Sequence, residues 1–295
     1  MKIRFWGVRG SIASPGPDTV RYGGNTTCIE VTTDAGHTII FDAGTGIRPL
    51  GMKLMERGEP VKCAVCISHT HWDHIQGLPF FVPLFVPGNE VDFFGAFDPV
   101  YQKDLQSILA QQMEYCYFPV REMELKADLR YHTLHEGSRV EYEDAVITNV
   151  LMNHPVLTYG YRVDCNGKSV FFSGDHEPPY NIYDADDTFH GEYDSLIQNK
   201  VSQICQTASD VDLFIVDAQY TEAEAVTKRG WGHGTFASGL AMARRSKAKK
   251  IVFTHHDPTR SDDQLDRIGG KLSQQRRDAD PPMEIAYEGL EIDLG

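Results

Sequence analysis

Apolar and polar positions alternate along most of this 295-residue chain in short runs bounded by Gly, Pro, Asn and Asp. Residues 3–8, 26–33, 37–41 and 61–67 are rich in β-branched and aromatic side chains and read as strands. A helical spacing fills 47–57 between the last two. Beyond them, 91–95 reads as a strand and 100–117 as a helix, with apolar residues three and four apart. In the second half, 140–151, 160–164 and 169–172 predict strands, the last two joined by an Asn166-Gly167 turn signal. A helix at 193–208, a strand at 212–216, a helix at 236–246, a strand at 250–254 and a helix at 262–273 complete the pattern. Strands first, then mixed strands and helices, twice over, predict an α/β (α+β) chain. Two sheets pack together with helices outside, and no low-complexity linker divides residues 1–295, which read as one domain.

Composition narrows the function classes. The chain is 41% hydrophobic and 24% charged, as ordinary globular proteins are. No apolar run reaches the length of a membrane span, and the segment from Met1 to Gly7 lacks the apolar stretch of a signal peptide. The expectation is a cytoplasmic chain starting at Met1. The six cysteines are scattered singly, apart from Cys63 and Cys66. At a spacing of three these point to opposite faces of the 61–67 strand and read as core thiols. The formal charge of −14 argues against a grip on long nucleic acid. The one dense basic run, 244–250, lies at the end of a predicted helix, where cations suit the dipole.

The candidate chemistry sits in Ser68-His69-Thr70-His71-Trp72-Asp73-His74, just after the 61–67 strand and before Gly77-Leu78-Pro79. Three imidazoles and a carboxylate on one short loop are a donor set suited to zinc and neighbouring divalent ions. Three further donors stand at strand ends. His154 precedes Pro155, Asp175 follows Gly174, and His255 ends the 250–254 strand with His256 beside it as a competing donor. Asp42 could support a ligand histidine or serve a turn. Arg9 and Asn25, in glycine-rich segments, fit plain turn chemistry better than contact with a phosphate. Tyr115, Tyr117 and Phe118 read as core packing rather than pocket lining.

In this order the motif, His154, Asp175 and His255 resemble the metallo-β-lactamase-fold hydrolases, and the resemblance covers essentially the whole chain. It implies a four-layer αββα sandwich with the site at one edge of the two sheets. By that pattern His69, His71 and His154 hold one metal, Asp73, His74 and His255 hold a second, and Asp175 bridges them. The pattern places its last ligand directly after the strand, favouring His255 over His256. The aspartate at the bridging position, Gly77-Leu78-Pro79, Asp217-Ala218-Gln219-Tyr220 and Gly230-Trp231-Gly232-His233-Gly234-Thr235 resemble the phosphodiesterase branch. That branch includes RNase Z-type endonucleases and small cyclic-phosphate diesterases.

The resemblance implies two divalent ions, zinc foremost with manganese or iron as alternatives, and hydrolysis by a metal-bound hydroxide. Asp73 would also orient the water, and His233, paired with Asp217, would act as general acid. The expected substrate is a small cyclic or linear phosphodiester, such as a nucleotide or sugar phosphate. No segment resembles the RNA-gripping arm of RNase Z-type enzymes, and residues 98–139 and 176–190 are candidates for the substrate-selecting wall. A lactone or thioester acyl hydrolase on the same metals is the alternative. A non-hydrolytic di-iron sensor or redox protein is a further one, opposed by the lack of a flavodoxin-like or rubredoxin-like segment. A homodimer is the superfamily's habit.

Overall fold

The computed structural model describes all 295 residues. Seven strands build the first sheet: β1 (Lys2–Gly7), β2 (Cys28–Thr32), β3 (Thr38–Phe41), β4 (Lys62–Cys66), β5 (Glu90–Ala96), β6 (Asp128–Leu134) and, from the far end of the chain, β14 (Glu291–Asp293). Their order is β14-β1-β2-β3-β4-β5-β6. Seven more build the second: β7 (Arg139–Tyr142), β8 (Ala145–Leu151), β9 (Tyr159–Cys165), β10 (Lys168–Phe172), β11 (Leu213–Asp217), β12 (Ile251–Thr254) and β13 (Met283–Ile285). These run in the order β13-β12-β11-β10-β9-β8-β7. The helices are α1 (Ile47–Met55), α2 (Trp72–Ile75), α3 (Leu105–Gln111), α4 (His190–Thr207), α5 (Glu222–Ala225), α6 (Phe236–Arg245) and α7 (Asp262–Gln275).

The period-two alternation of the strands explains the layering. In β3, Ile39 and Phe41 face the second sheet, while Ile40 joins Leu50 and Leu54 of α1 on the outer side. In β10 and β11, Val170, Phe172, Leu213 and Ile215 face inward, and Phe171 and Phe214 pack with Ile204 of α4 and Ala243 of α6. Cys66 lies between the sheets and Cys63 on the helix side, as their spacing predicts. The result is four layers in the order α, β, β, α. No helix is long and apolar enough to cross a membrane.

Several elements differ from the sequence reading. The 140–151 strand is two, β7 and β8, joined by a tight hairpin with Glu143 at φ 52°. The 100–117 helix shrinks to α3, whose Asp104 caps it by accepting from the Ser107 N–H at 2.8 Å. Strand β6 alternates from Asp128 to Tyr131, but the polar pair His132-Thr133 interrupts the pattern on a partly exposed edge. Strands β13 and β14 are three residues each, too short for a periodicity to register.

The parallel strands set the site's position. β3, β4 and β5 run parallel in one sheet, and β10, β11 and β12 in the other. Their carboxyl ends open onto the same edge, where ligands bind in open α/β sheets.

Candidate metal centre

The loop after β4 carries Ser68 to His71 and runs into α2, which holds Asp73 and His74. From the second sheet come His154 after β8, Asp175 after β10, Asp217 at the end of β11 and His255 just after β12. His69, His71, His154 and Asp175 bring one donor atom each within 4.8 Å of one another, and so do Asp73, His74, Asp175 and His255. Asp175 belongs to both groups. All seven residues expected as ligands therefore meet in one place.

Hydrogen bonds fix which nitrogen His69, His74 and His154 turn inward. The buried Asp42 carboxylate accepts from the Ser68 N–H at 2.7 Å, the Ser68 hydroxyl at 2.8 Å and His74 Nδ1 at 2.8 Å. His74 Nε2 is thereby left with its lone pair, 3.2 Å from Asp175 Oδ2 and 3.2 Å from Asp73 Oδ2. Because the Ser68 hydroxyl spends its proton on Asp42, it accepts from His69 Nδ1 at 3.1 Å. His69 Nε2 is then bare, buried and without a partner. His154 Nδ1 donates to the Gly232 carbonyl at 2.8 Å, and its bare Nε2 lies 3.1 Å from His71 Nδ1. Asp175 Oδ1 is likewise buried and unpartnered. The lone pairs of His69, His74 and His154 and the carboxylate oxygens of Asp73 and Asp175 converge here, a donor set that fits divalent cations.

Electrostatics agree with that reading of the first group. Burial is the largest influence on His69, His71 and His154 and pulls all three below the ordinary imidazole value, His154 to about 4, despite Asp175 nearby. These rings are neutral at physiological pH, the form that ligates metal.

Backbone geometry holds the second sheet's donors. His255 sits at φ 62°, which turns its ring into the cluster, with Nε2 3.1 Å from Asp73 Oδ2 and 3.2 Å from Asp175 Oδ1. A methyl group on Gly10 would lie 2.3 Å from the His255 ring, so only glycine fits beneath it. Gly232, at φ 90°, would place a methyl 2.3 Å from His154 Nδ1. His256 turns away, its Nε2 donating to the Ala286 carbonyl at 2.8 Å. Asp73 Oδ2 also accepts from the Ser11 N–H at 2.7 Å.

At the rim, His233 Nδ1 donates to Asp217 Oδ2 at 3.1 Å and its ring stacks on His255, centroids 5.0 Å apart. Burial alone would lower its pKa, but the carboxylates of Asp217 and Asp175 outweigh it and raise it to about 9. Asp217, with His233, His255 and Asp175, forms a third group of close donors. Its oxygens are already engaged, however, by the N–H groups of His176, Gly234 and Gln219. Asp217 thus serves to hold His233 in place.

Two sequence readings need correction. Tyr115 and Tyr117 are 55% and 66% exposed rather than core residues, and Phe118 is half-buried against Phe80. They belong to a run of turns that follows α3 instead of continuing it. Arg9 does more than form a turn: its buried guanidinium donates to the carbonyls of Gly23, Asp257 and Arg260, which removes it from any contact with substrate. Asn25 donates to Glu288.

Sequence reasoning missed Glu177. Its carboxylate accepts from the N–H groups of Gly230 and Gly232 at 2.8 Å each, clasping the segment whose carbonyl orients His154. A carboxylate two residues past Asp175 is the only signal the sequence offers.

Comparison with known proteins agrees with this geometry. A family model described as a beta-lactamase superfamily domain matches residues 37–256. Ribonuclease Z of Shouchella clausii is 23% identical over 257 residues, 75% of this chain and 77% of its own. Human tRNase Z, short form, has a TM-score of 0.65 at 18% identity and covers 100% of both chains. A diphosphatase of the PhnP family has a TM-score of 0.64 at 18% identity, covering 100% of this chain and 98% of its own.

Proposed function

Because the chain belongs to the beta-lactamase superfamily, as a metal-dependent hydrolase, we propose that it cleaves a small cyclic or linear phosphodiester, a nucleotide or sugar phosphate. The observation that carries this reading is the Asp217–His233 pair beside the two donor groups. With Nδ1 given to Asp217, the Nε2–H of His233 is the proton a departing alkoxide oxygen needs. A thioester, which expels a weakly basic thiolate, has less call for such a donor, and a sensor has none.

His69, His71 and His154 would hold one divalent ion, Asp73, His74 and His255 a second, and Asp175 both. When bound, such ions supply an activated water and neutralise the non-bridging oxygens of a phosphate. The chain's own residues do the remainder. Asp42 and the Gly232 carbonyl keep the imidazole tautomers fixed, and Asp73, held by the Ser11 N–H, orients the attacking water. His233 protonates the leaving group while Asp217 keeps its ring aligned. Imidazole with carboxylate suits zinc first, and manganese or iron next.

The relatives named ribonuclease Z act on RNA by their names, whereas the net charge of −14 here favours a small substrate over a long polyanion. Metal analysis followed by turnover of cyclic nucleotides, cyclic sugar phosphates, precursor transfer RNA and a lactone panel tests the proposal. Small phosphodiesters should be the preferred substrates of the metal-loaded protein. Hydrolysis confined to lactones, or to precursor transfer RNA, would overturn it.

A further inference from the structure

The segment Gly7-Val8-Arg9-Gly10-Ser11 passes beneath His255 and reaches Asp73, and of its five residues only Ser11 is exposed. Arg9 is occupied by its three carbonyls, so contact between this segment and a substrate falls to Ser11. The Ser11 N–H lies 2.7 Å from Asp73 Oδ2, and that oxygen lies 3.2 Å from His74 Nε2 and 3.1 Å from His255 Nε2. The Ser11 hydroxyl is three bonds from its own nitrogen, which keeps it within about 7 Å of the same carboxylate oxygen.

The backbone here is strained. Ser11 has φ 63°, and the Ile12 N–H donates across it to the Gly10 carbonyl at 2.7 Å. A three-residue turn with a positive φ at its centre is rare and costly for a residue that has a side chain. Its flanks hold it in place: the Gly10 N–H donates to the His256 carbonyl at 2.9 Å, beside the clamp that Arg9 forms. Glycine would make the same turn, and the same bond to Asp73, without strain. What serine adds is a hydroxyl, and that hydroxyl is already oriented. The buried Gln219 side chain donates through Nε2 to Ser11 Oγ at 3.3 Å and to the Tyr220 hydroxyl at 3.3 Å. Ser11 Oγ is the acceptor in that bond, and its own proton is given to no acceptor in the protein. The main-chain N–H of Gln219 donates to Asp217 Oδ1 at 3.1 Å, so one residue ties the Ser11 hydroxyl to the carboxylate that holds His233.

We infer that Ser11 binds the substrate directly, its hydroxyl donating to a non-bridging oxygen of the phosphate while His233 serves the leaving oxygen. This rests on the phosphodiesterase reading and adds to it a residue that recognises the phosphate itself. A hydrogen bond of about 2.7 Å brings a phosphate seated at the donor groups within reach of the hydroxyl. A phosphodiester has two non-bridging oxygens, so one can take the Ser11 proton while the other faces the donor groups. A lactone carbonyl has a single oxygen and cannot do both as well. A hydrogen bond to a charged oxygen is also stronger than one to a neutral carbonyl.

Calorimetric titration with inorganic phosphate, beside elemental analysis, tests this on the metal-loaded full-length protein and on Ser11→Ala and Ser11→Gly. Both variants keep the N–H that Asp73 accepts, and Ser11→Gly also relieves the turn. Phosphate affinity, and kcat/KM for a small phosphodiester, should fall about tenfold or more in both. That is the scale of one lost hydrogen bond to a charged group, and bound metal should stay unchanged. Failure of the unaltered protein to bind phosphate, or unchanged affinity in both variants, would overturn the inference whatever the protein turns over. A loss in Ser11→Ala that Ser11→Gly restores would also overturn it, because the effect would then belong to the strained backbone. So would a loss of metal in step with phosphate, which would trace the effect to Asp73. Phosphate affinity lost in both variants with metal retained, but no phosphodiester cleaved by the unaltered protein, would keep Ser11 as a phosphate-binding residue and defeat the phosphodiesterase reading alone.

Discussion

The two sides of the site are built by different means. On the first sheet, four donors come from six consecutive residues, and a single buried carboxylate, Asp42, fixes the loop through Ser68 and His74. On the second sheet, His154, Asp175 and His255 come from three separate strand ends. Each is held by a contact far away in sequence: Gly232 for His154, Asp73 for His255, and the ring cluster itself for Asp175. A contiguous loop shares one main support among its donors, the Asp42 carboxylate, whereas each dispersed donor needs a support of its own. Damage to the first side should therefore be severe and local, and damage to the second graded according to the support removed.

The largest expected effect comes from the residue shared by both groups. Asp175→Ala should lower kcat by about 10³-fold or more and reduce bound metal as read by elemental analysis. Retention of both ions with near-normal turnover would break the assignment of Asp175 to both groups. Next comes His233→Ala, with an expected loss of about 10²–10³-fold for substrates with alkoxide leaving groups. The loss should shrink sharply for a p-nitrophenolate ester, which leaves without a proton, and metal content should hold. An equal loss on both ester types would mean that His233 is not the acid.

The comparison itself is sharpest between Asp42→Ala and Glu177→Gln. Removing Asp42 strands two donors of Ser68 and one of His74 in a buried place, so metal affinity should fall about 10–100-fold. Thermal stability should fall as well, by about 1–3 kcal/mol for the unpaired groups. Glu177→Gln keeps the size of the clasp but weakens its bonds to Gly230 and Gly232. Affinity should then fall by about tenfold or less, with little change in stability, in titrations with a competing chelator. If the two variants behave alike, the contrast between one shared support and several separate ones fails.

Much of this architecture is legible in the amino-acid sequence. The histidine loop stands out because metal chemistry concentrates rare donors on a short segment, and strand alternation foretells the layers and the opposed faces of Cys63 and Cys66. The distant donors are weaker signals, a histidine before a proline and an aspartate after a glycine, and it is the family resemblance that sets them in order. What stays hidden depends on tertiary contact. Nothing in the sequence says that the Ser68 hydroxyl donates a hydrogen bond to Asp42, that Glu177 reaches Gly230, or that Tyr117 stands in solvent. Strand β6 escapes because His132 and Thr133 interrupt its alternation and only Leu129, Tyr131 and Leu134 of its seven residues are apolar.

The grip of Arg9 on the carbonyls of Asp257 and Arg260 has a consequence in time as well as in space. Polypeptides emerge from the ribosome amino end first. The donors His69, His71, His154 and Asp175 are all translated before residue 176, while Arg9 waits through most of synthesis for the carbonyls it holds. The position beside His255 is thus the last part of the centre that a growing chain can complete.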